Sequence, residues 1–320
     1  GWRVYYETQL TFADGMAMTR SSYGFDYQMT DWLDGHFELS RGAADTDTLL
    51  NQGIVATWKQ SDLLTMTFEL EHLRAMEAGE HRMTSVAVGA KWQSSDESWV
   101  GDADLEATFE PTGETYFANA GIAGRLNEDW TVLGRARAAI DNRNGKDIQR
   151  LRTRVGVAYR PVENSRLDAL AWYENRLEKK HGRSATHLWS VDVAYEATDD
   201  LRLNGKYAGQ HQSYTSQTGA GSSALTQMIQ AGVNFEFGDD RFQIGANATY
   251  LWDNQGNSST GLGAEIGFVP TKGTQIALGY HHSRGQVAGQ SALYQDGFYL
   301  RLNLLLDNSL WSTLDGFLGN

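Results

Sequence analysis

Residues 99–110 read WVGDADLEATFE, and two interleaved rows run through them. Asp102, Asp104, Glu106, Thr108 and Glu110 are polar, while Ala103, Leu105, Ala107 and Phe109 between them are not. Side chains of a β-strand alternate between its two faces, so this stretch reads as a strand with one acidic and one apolar face. The pattern recurs outward in both directions. Trp2, Val4, Tyr6, Leu10 and Phe12 stand against Arg3, Glu7 and Gln9, and Leu151, Val155, Val157 and Tyr159 against Arg150, Arg152 and Arg154. Phe298, Leu300, Leu302 and Leu304 stand against Tyr299, Arg301 and Asn303. About 18 such segments of roughly 9 to 13 residues fill the chain, with about 16 as the alternative count, and helical spacing is scarce.

Composition narrows the class. The 320 residues hold 10 Trp, 14 Tyr and 12 Phe, too aromatic for a disordered chain. No apolar run reaches the roughly 18 residues of a membrane helix. Lys and Arg number 27 against 40 Asp and Glu, a formal charge of -13 that leaves no broad basic face for nucleic acid. The absence of Cys removes disulfides, thiolate metal sites and cysteine nucleophiles, and suits an oxidising compartment. The chain opens at Gly1 on a strand-like stretch with no basic-then-apolar leader, as expected of a mature or trimmed form.

The connections fall into two alternating kinds. Thr30 to Asp34, Ser61 and Asp62, Asn127 to Asp129, Thr198 to Asp200, Gly238 to Asp240 and Pro270 to Gly273 are compact and rich in Asp, Asn and Gly, as hairpin turns require. Glu178 to Ala185, Ser213 to Ala224, Asp253 to Thr260 and Ser283 to Leu293 read as longer loops. Pro111, Pro161 and Pro270 are expected in connections, where a missing ladder N–H does no harm. Trp58, Trp92, Trp99 and Trp130 sit beside compact turns, and Phe12, Tyr116, Trp252 and Tyr280 near the looped ends, as two aromatic girdles would.

Volume decides the orientation of the faces. A barrel of about 18 strands is too wide for its own side chains to fill, so the charged face looks inward to water and the apolar face outward to lipid. Pairing the first strand with the last then leaves no edge in hydrocarbon. The expected fold is all-β: a transmembrane antiparallel up-and-down β-barrel over residues 1–307, followed by a periplasmic tail at 308–320.

Gln295, Gly297, Leu300 and Leu302 resemble the polar-x-Gly-x-x-apolar-x-apolar assembly signal of Gram-negative outer-membrane barrels. Strand pattern, turns and girdles extend that resemblance over nearly the whole chain. It implies residence in the outer membrane, contact with its lipid, and insertion by the barrel-assembly machinery with both termini in the periplasm. Unlike such chains, this one continues past its last strand with Trp311, Leu314, Phe317 and Leu318. The third looped connection, Glu77 to His81, is too short for the inward-folded loop of a general porin, and the chain has no room for the strands and plug of a TonB-dependent receptor. It instead resembles the anchor or translocation barrel of a larger surface or secretion protein, whose lumen or mouth would meet a partner or an upstream domain. A free-standing diffusion porin is the alternative reading, and a barrel enzyme a minor one.

The candidate site is the lumen wall. Glu7, Asp26, Glu38, Glu69, Glu71, Asp102, Asp104, Glu106 and Glu110 form an acidic side, and Arg125, Arg135, Arg137, Arg150, Arg152, Arg154, Arg202 and Lys206 a basic one. Opposed charge orients dipolar solutes and sorts ions by sign; the alternative is that the two sides pair and merely keep the lumen wet. No catalytic role is expected. His281 and His282 are adjacent and face opposite ways, and His187 and His211 read as outward or rim positions. Asp45 and Asp47 lack an EF-hand loop, and Gly219 to Gly221 lack the Lys of a phosphate loop, so neither a metal nor a cofactor is expected.

Overall fold

The computed structural model describes residues 1–13, 16–42, 48–76, 81–145, 147–163, 165–239, 241–271, 274–285 and 296–304. Its first nine strands are β1 (Trp2–Ala13), β2 (Met16–Thr30), β3 (Leu33–Gly42), β4 (Leu49–Ser61), β5 (Leu64–Ala75), β6 (His81–Gln93), β7 (Trp99–Glu110), β8 (Gly113–Arg125) and β9 (Trp130–Asp141). A 3-10 turn at Arg143–Gly145 leads to β10 (Ile148–Tyr159), β11 (Leu167–Lys179), β12 (Gly182–Glu196), β13 (Leu201–Ser216) and β14 (Gly221–Phe237). β15 (Phe242–Asp253), β16 (Ser258–Thr271), β17 (Thr274–Gly285) and β18 (Gly297–Leu304) complete the order. The described residues hold 18 strands, the expected count, and from β1 to β8 and from β13 to β18 consecutive strands pair antiparallel.

The chain gathers into two compact units. The first comprises residues 1–125, 133–154 and 175–184, and the second residues 126–132, 155–174 and 185–320. In the first, β1 to β8 form a meander whose registers put Tyr5 opposite Gly24, Gly24 opposite Glu38, and Asp104 opposite Asn119. In the second, β13 to β18 do the same, with Asn234 opposite Gly245 and Gly279 opposite Tyr299.

Burial is inverted relative to a packed core. Among the described residues the buried apolar set is only Leu50, Ala75, Ile148, Leu251 and Ala277. Leu105 and Phe109 of β7 are exposed on the row opposite Asp102, Asp104 and Glu106. On β18, Phe298 and Leu300 are 80% and 74% exposed, and Tyr299 and Arg301 lie on the other row. In each unit one face is apolar and open while the other is polar. Water would strongly oppose such a surface, whereas hydrocarbon favours it.

Several connections differ from expectation because the strands run further than their polar sequence suggests. Lys180 and His181 alone join β11 to β12, residues 217–220 join β13 to β14, and residues 254–257 join β15 to β16. Polar strand ends above a membrane still complete their ladder bonds, so loop-like composition did not end the strands. Pro270 lies inside β16, not in a turn; it sits at the register shift between Phe268 and Thr271, where no regular ladder N–H is needed. Pro111 and Pro161 fall outside strands as expected. Glu77 to Glu80, Asp45, Asp47 and the tail 308–320 lie outside the described residues.

The turn between β6 and β7 shows how short polar sequences close these hairpins. Ser98 donates to both oxygens of Asp96, through its Oγ at 2.7 Å and its N–H at 3.2 Å, and the Trp99 N–H donates to Ser94 Oγ at 2.9 Å. Hydroxyls donating from Ser94 and Ser98 hold the Asp96 carboxyl down to about 2. A carboxyl lowered in the folded turn stabilises it above the ordinary Asp value of 3.8, and that contribution fades as pH falls toward about 2. Hydrogen exchange at Ser98 and Trp99 should therefore accelerate, relative to other turns, between about pH 4 and pH 2, and Asp96→Asn should abolish the dependence.

Candidate functional site

The polar face carries connected networks rather than isolated charges. Asn119 of β8, only 6% exposed, donates from Nδ2 to Asp102 Oδ2 and to Asp104 Oδ2, both at 3.1 Å. Its Oδ1 accepts from Arg135 Nε at 3.0 Å and Arg137 Nε at 3.2 Å. A single amide, donor on one side and acceptor on the other, thus joins two carboxylates of β7 to two guanidiniums of β9. Next to it, Ser85 Oγ donates to Glu106 Oε1 at 3.1 Å, and at the strand end Arg143 Nη1 meets Glu110 Oε1 at 3.0 Å.

A second motif recurs in both units. Tyr5 of β1 crosses Gly24 of β2 and donates from its hydroxyl to Glu38 Oε2 of β3 at 2.9 Å. Tyr299 of β18 crosses Gly279 of β17 and donates to Glu265 Oε2 of β16, also at 2.9 Å. His36 of β3 likewise spans Gly53 of β4 to place Nε2 3.2 Å from Glu71 Oε1 of β5. A Cβ built on Gly24 or Gly279 would collide with the tyrosine ring, and one on Gly53 with the imidazole. Bare backbone lets each ring lie flat on the sheet, where its polar end reaches two strands away instead of standing off the surface. Arginines accompany the motif: Arg3 Nε donates to Asp26 Oδ2 at 2.8 Å, and Arg301 pairs with Glu265.

No family model matches the chain, and no curated protein matches it. Solved structures do. A chain of the FpvAI–pyocin S2 complex is 10% identical at a TM-score of 0.51, over 92% of this chain and 59% of that one. The outer-membrane channel DcaP of Acinetobacter baumannii is 9% identical, TM-score 0.46, over 95% and 97% of the two chains. The anion-selective porin from Comamonas acidovorans is 11% identical, TM-score 0.45, over 88% and 93%. The fold is that of an outer-membrane β-barrel. At these identities the likeness is one of fold.

The residues expected to line the barrel wall all fall on the polar faces of their strands, opposite exposed apolar rows. Glu7 shares its face with Arg3 and Tyr5, and Glu69 with Glu71. Arg150, Arg152 and Arg154 alternate with Leu151 and Val155, which are 42% and 57% exposed on the other face. Arg125 is exposed at the end of β8. The basic side is less purely basic than the sequence reading has it, because Glu178, Asp168 and Asp192 stand among its cations. Arg150 Nε lies 3.0 Å from Glu178, Lys206 Nζ 2.8 Å from Asp192, and Arg202 Nη2 3.9 Å from Asp168. Asp168 and Glu178 escaped notice because Leu170 and Trp172 blur the alternation of β11, whereas Asp192 lies on β12. Asn119 and the tyrosines Tyr5 and Tyr299 were also missed; only the cross-strand register reveals that they link charges.

Other expectations sort plainly. Leu300 and Leu302 are exposed on β18 and Gly297 opens it, while Gln295 lies outside the described residues. His281 and His282 face opposite sides of β17, and His187 and His211 lie on the apolar face, where the His187 Nδ1 meets the Tyr173 hydroxyl at 2.6 Å. Trp58, Trp92 and Trp130 are exposed beside their turns.

Gly24→Ala and Gly279→Ala should each destabilise the barrel by about 1–3 kcal/mol in denaturant unfolding, since a methyl drives the ring off the sheet. Adding Tyr5→Ala to Gly24→Ala should then cost less than Tyr5→Ala alone. Additive costs would show that the ring does not rest on the glycine.

Proposed function

We propose that this chain is an integral outer-membrane conduit: its exposed apolar rows meet lipid, and its networked polar rows line a water-filled lumen. The observation that carries this is the inverted burial of both units, with Leu105, Val155, Ile266 and Leu300 open on one face and ion pairs and amide networks on the other. Polar groups left without hydrogen-bonding surroundings in hydrocarbon are costly, so a face holding Arg150, Arg152 and Arg154 belongs in water. Mixed charge on that face orients solutes by field rather than reacting with them, and the conduit runs no covalent chemistry.

Within that reading, the barrel serves as the membrane anchor or translocation element of a larger surface or secretion assembly, with a partner segment at its lumen or mouth. Short connections support this: among the described residues, β11 joins β12 through Lys180 and His181 alone, and β13 to β14 and β15 to β16 through four residues each. Such connections supply little chain to narrow a lumen of about 18 strands, which suits a bulky or extended cargo better than selective sieving.

Purified barrel in a planar bilayer should conduct in discrete open steps. Changing Arg150, Arg152 and Arg154 together to Glu should leave assembly intact and shift the reversal potential toward cation preference. Leu151→Arg with Val155→Arg should block assembly, since each outward cation costs roughly 2–4 kcal/mol at the membrane midplane. A folded barrel that never conducts, or an unmoved reversal potential in the triple variant, would contradict the conduit.

A further inference from the structure

The second unit holds a surface that charge sorting does not explain. Two cross-strand rows of its polar face alternate strictly between a polar side chain and glycine. One runs Asn204, Gly232, Asn247, Gly263, His281, Gly297; the row beside it runs Asn234, Gly245, Glu265, Gly279, Tyr299. The rows are offset, so the polar side chains settle over neighbouring glycines. A Cβ at Gly245 would lie 2.7 Å from Asn234 Oδ1, and one at Gly263 2.8 Å from both Asn247 Nδ2 and His281 Cδ2. The result is a low, amide-rich floor under a cavity of 1210 Å³.

Two chemical features of that cavity specify a ligand. Its charged lining is balanced: Arg160 and Asp168, Lys206 and Asp192, and Arg301 and Glu265 approach one another as pairs. The other polar lining residues are neutral amides: Asn204, Gln230, Asn234 and Asn247, beside Gln243 and Gln275, which bond to each other at 2.6 Å. The Asn247 Oδ1 is buried without a hydrogen-bond partner, an acceptor awaiting a donor. Tyr299 lies over Gly279, and the His281 ring stacks against it at 4.5 Å between centroids, giving a stacked aromatic pair at the edge of the amide floor. Amides beside a flat ring recognise a molecule with many hydroxyls and weakly polar C–H faces.

We infer that the polar face of β13 to β18 binds an uncharged carbohydrate chain, with Tyr299 and His281 as the stacking platform and Asn204, Asn234 and Asn247 as hydroxyl partners. This rests on the conduit reading and names its cargo class. A charged polysaccharide fits less well, because the cavity's own ion pairs leave no net charge to attract it. Low affinity is intrinsic to the arrangement, since a shallow floor buries one side of a sugar and lets a chain slide.

The test uses the whole chain, folded in detergent and in planar bilayers, with maltohexaose and cellohexaose as neutral probes and oligogalacturonate as the anionic one. At least one neutral hexaose should bind by calorimetry at about millimolar affinity and interrupt the current, and oligogalacturonate should bind more weakly. Tyr299→Ala should weaken binding by about tenfold or more, while Tyr299→Phe, which keeps the ring but loses the bond to Glu265, should stay within about threefold. Asn247→Asp, a change of charge without size, should also weaken it. A barrel that conducts but binds neither neutral hexaose, or that prefers oligogalacturonate, overturns the carbohydrate inference and leaves the conduit standing. Equal losses in Tyr299→Ala and Tyr299→Phe would overturn the stacking role. Binding without any conductance would instead support the site and contradict the conduit.

Discussion

Strand register decides which solvent each side chain meets, because a slip of one residue carries every apolar side chain to the polar face and every charge to the apolar one. In this chain such a slip on β10 alone would turn Arg150, Arg152 and Arg154 toward the face that holds Leu151 and Val155. The cross-strand contacts show what pins the register. Asn119 bonds to Asp102, Asp104, Arg135 and Arg137 only when β7, β8 and β9 are in step. Tyr5 and Tyr299 reach Glu38 and Glu265 only when a glycine lies directly opposite each ring. Polar contacts of this kind are worth more as selectors of one pairing than as sources of stability.

Glycine in strands is ordinarily a weakness, having no side chain to pack and more backbone freedom to lose. On this polar face it takes another role. Where Gly24, Gly53 and Gly279 leave the backbone bare, a large polar side chain folds down and joins strands that are not neighbours. The surface becomes flat and wide, with its charges tied in pairs.

The fold was legible because period-two alternation needs no tertiary information: residues 99–110 already display both faces of β7, and the same test gives a count of about 18, the number of strands among the described residues. Boundaries were less legible where strand ends are themselves polar, so Ser213 to Ser216 and Gly221 to Ala224 read as loop and are strand. Candidate residues were found by type and parity, and the Asp, Glu and Arg so chosen stand on the polar faces of their strands. Their partners were not, because Asn119, Tyr5, Tyr299 and Asp192 matter through what stands two strands away, and a single sequence does not display register. The amide and glycine rows were invisible for the same reason.

The central claim is that the two faces meet different solvents, and spin labelling reads this directly. The chain has no native cysteine, so each of residues 150–157 can be replaced singly by cysteine and labelled without interference. In reconstituted vesicles, oxygen dissolved in lipid should relax labels at 151, 153, 155 and 157 most strongly. A water-soluble nickel chelate should do so at 150, 152, 154 and 156. Two opposed profiles with a period of two are the predicted result; chelate access along both rows, or no period at all, would contradict it.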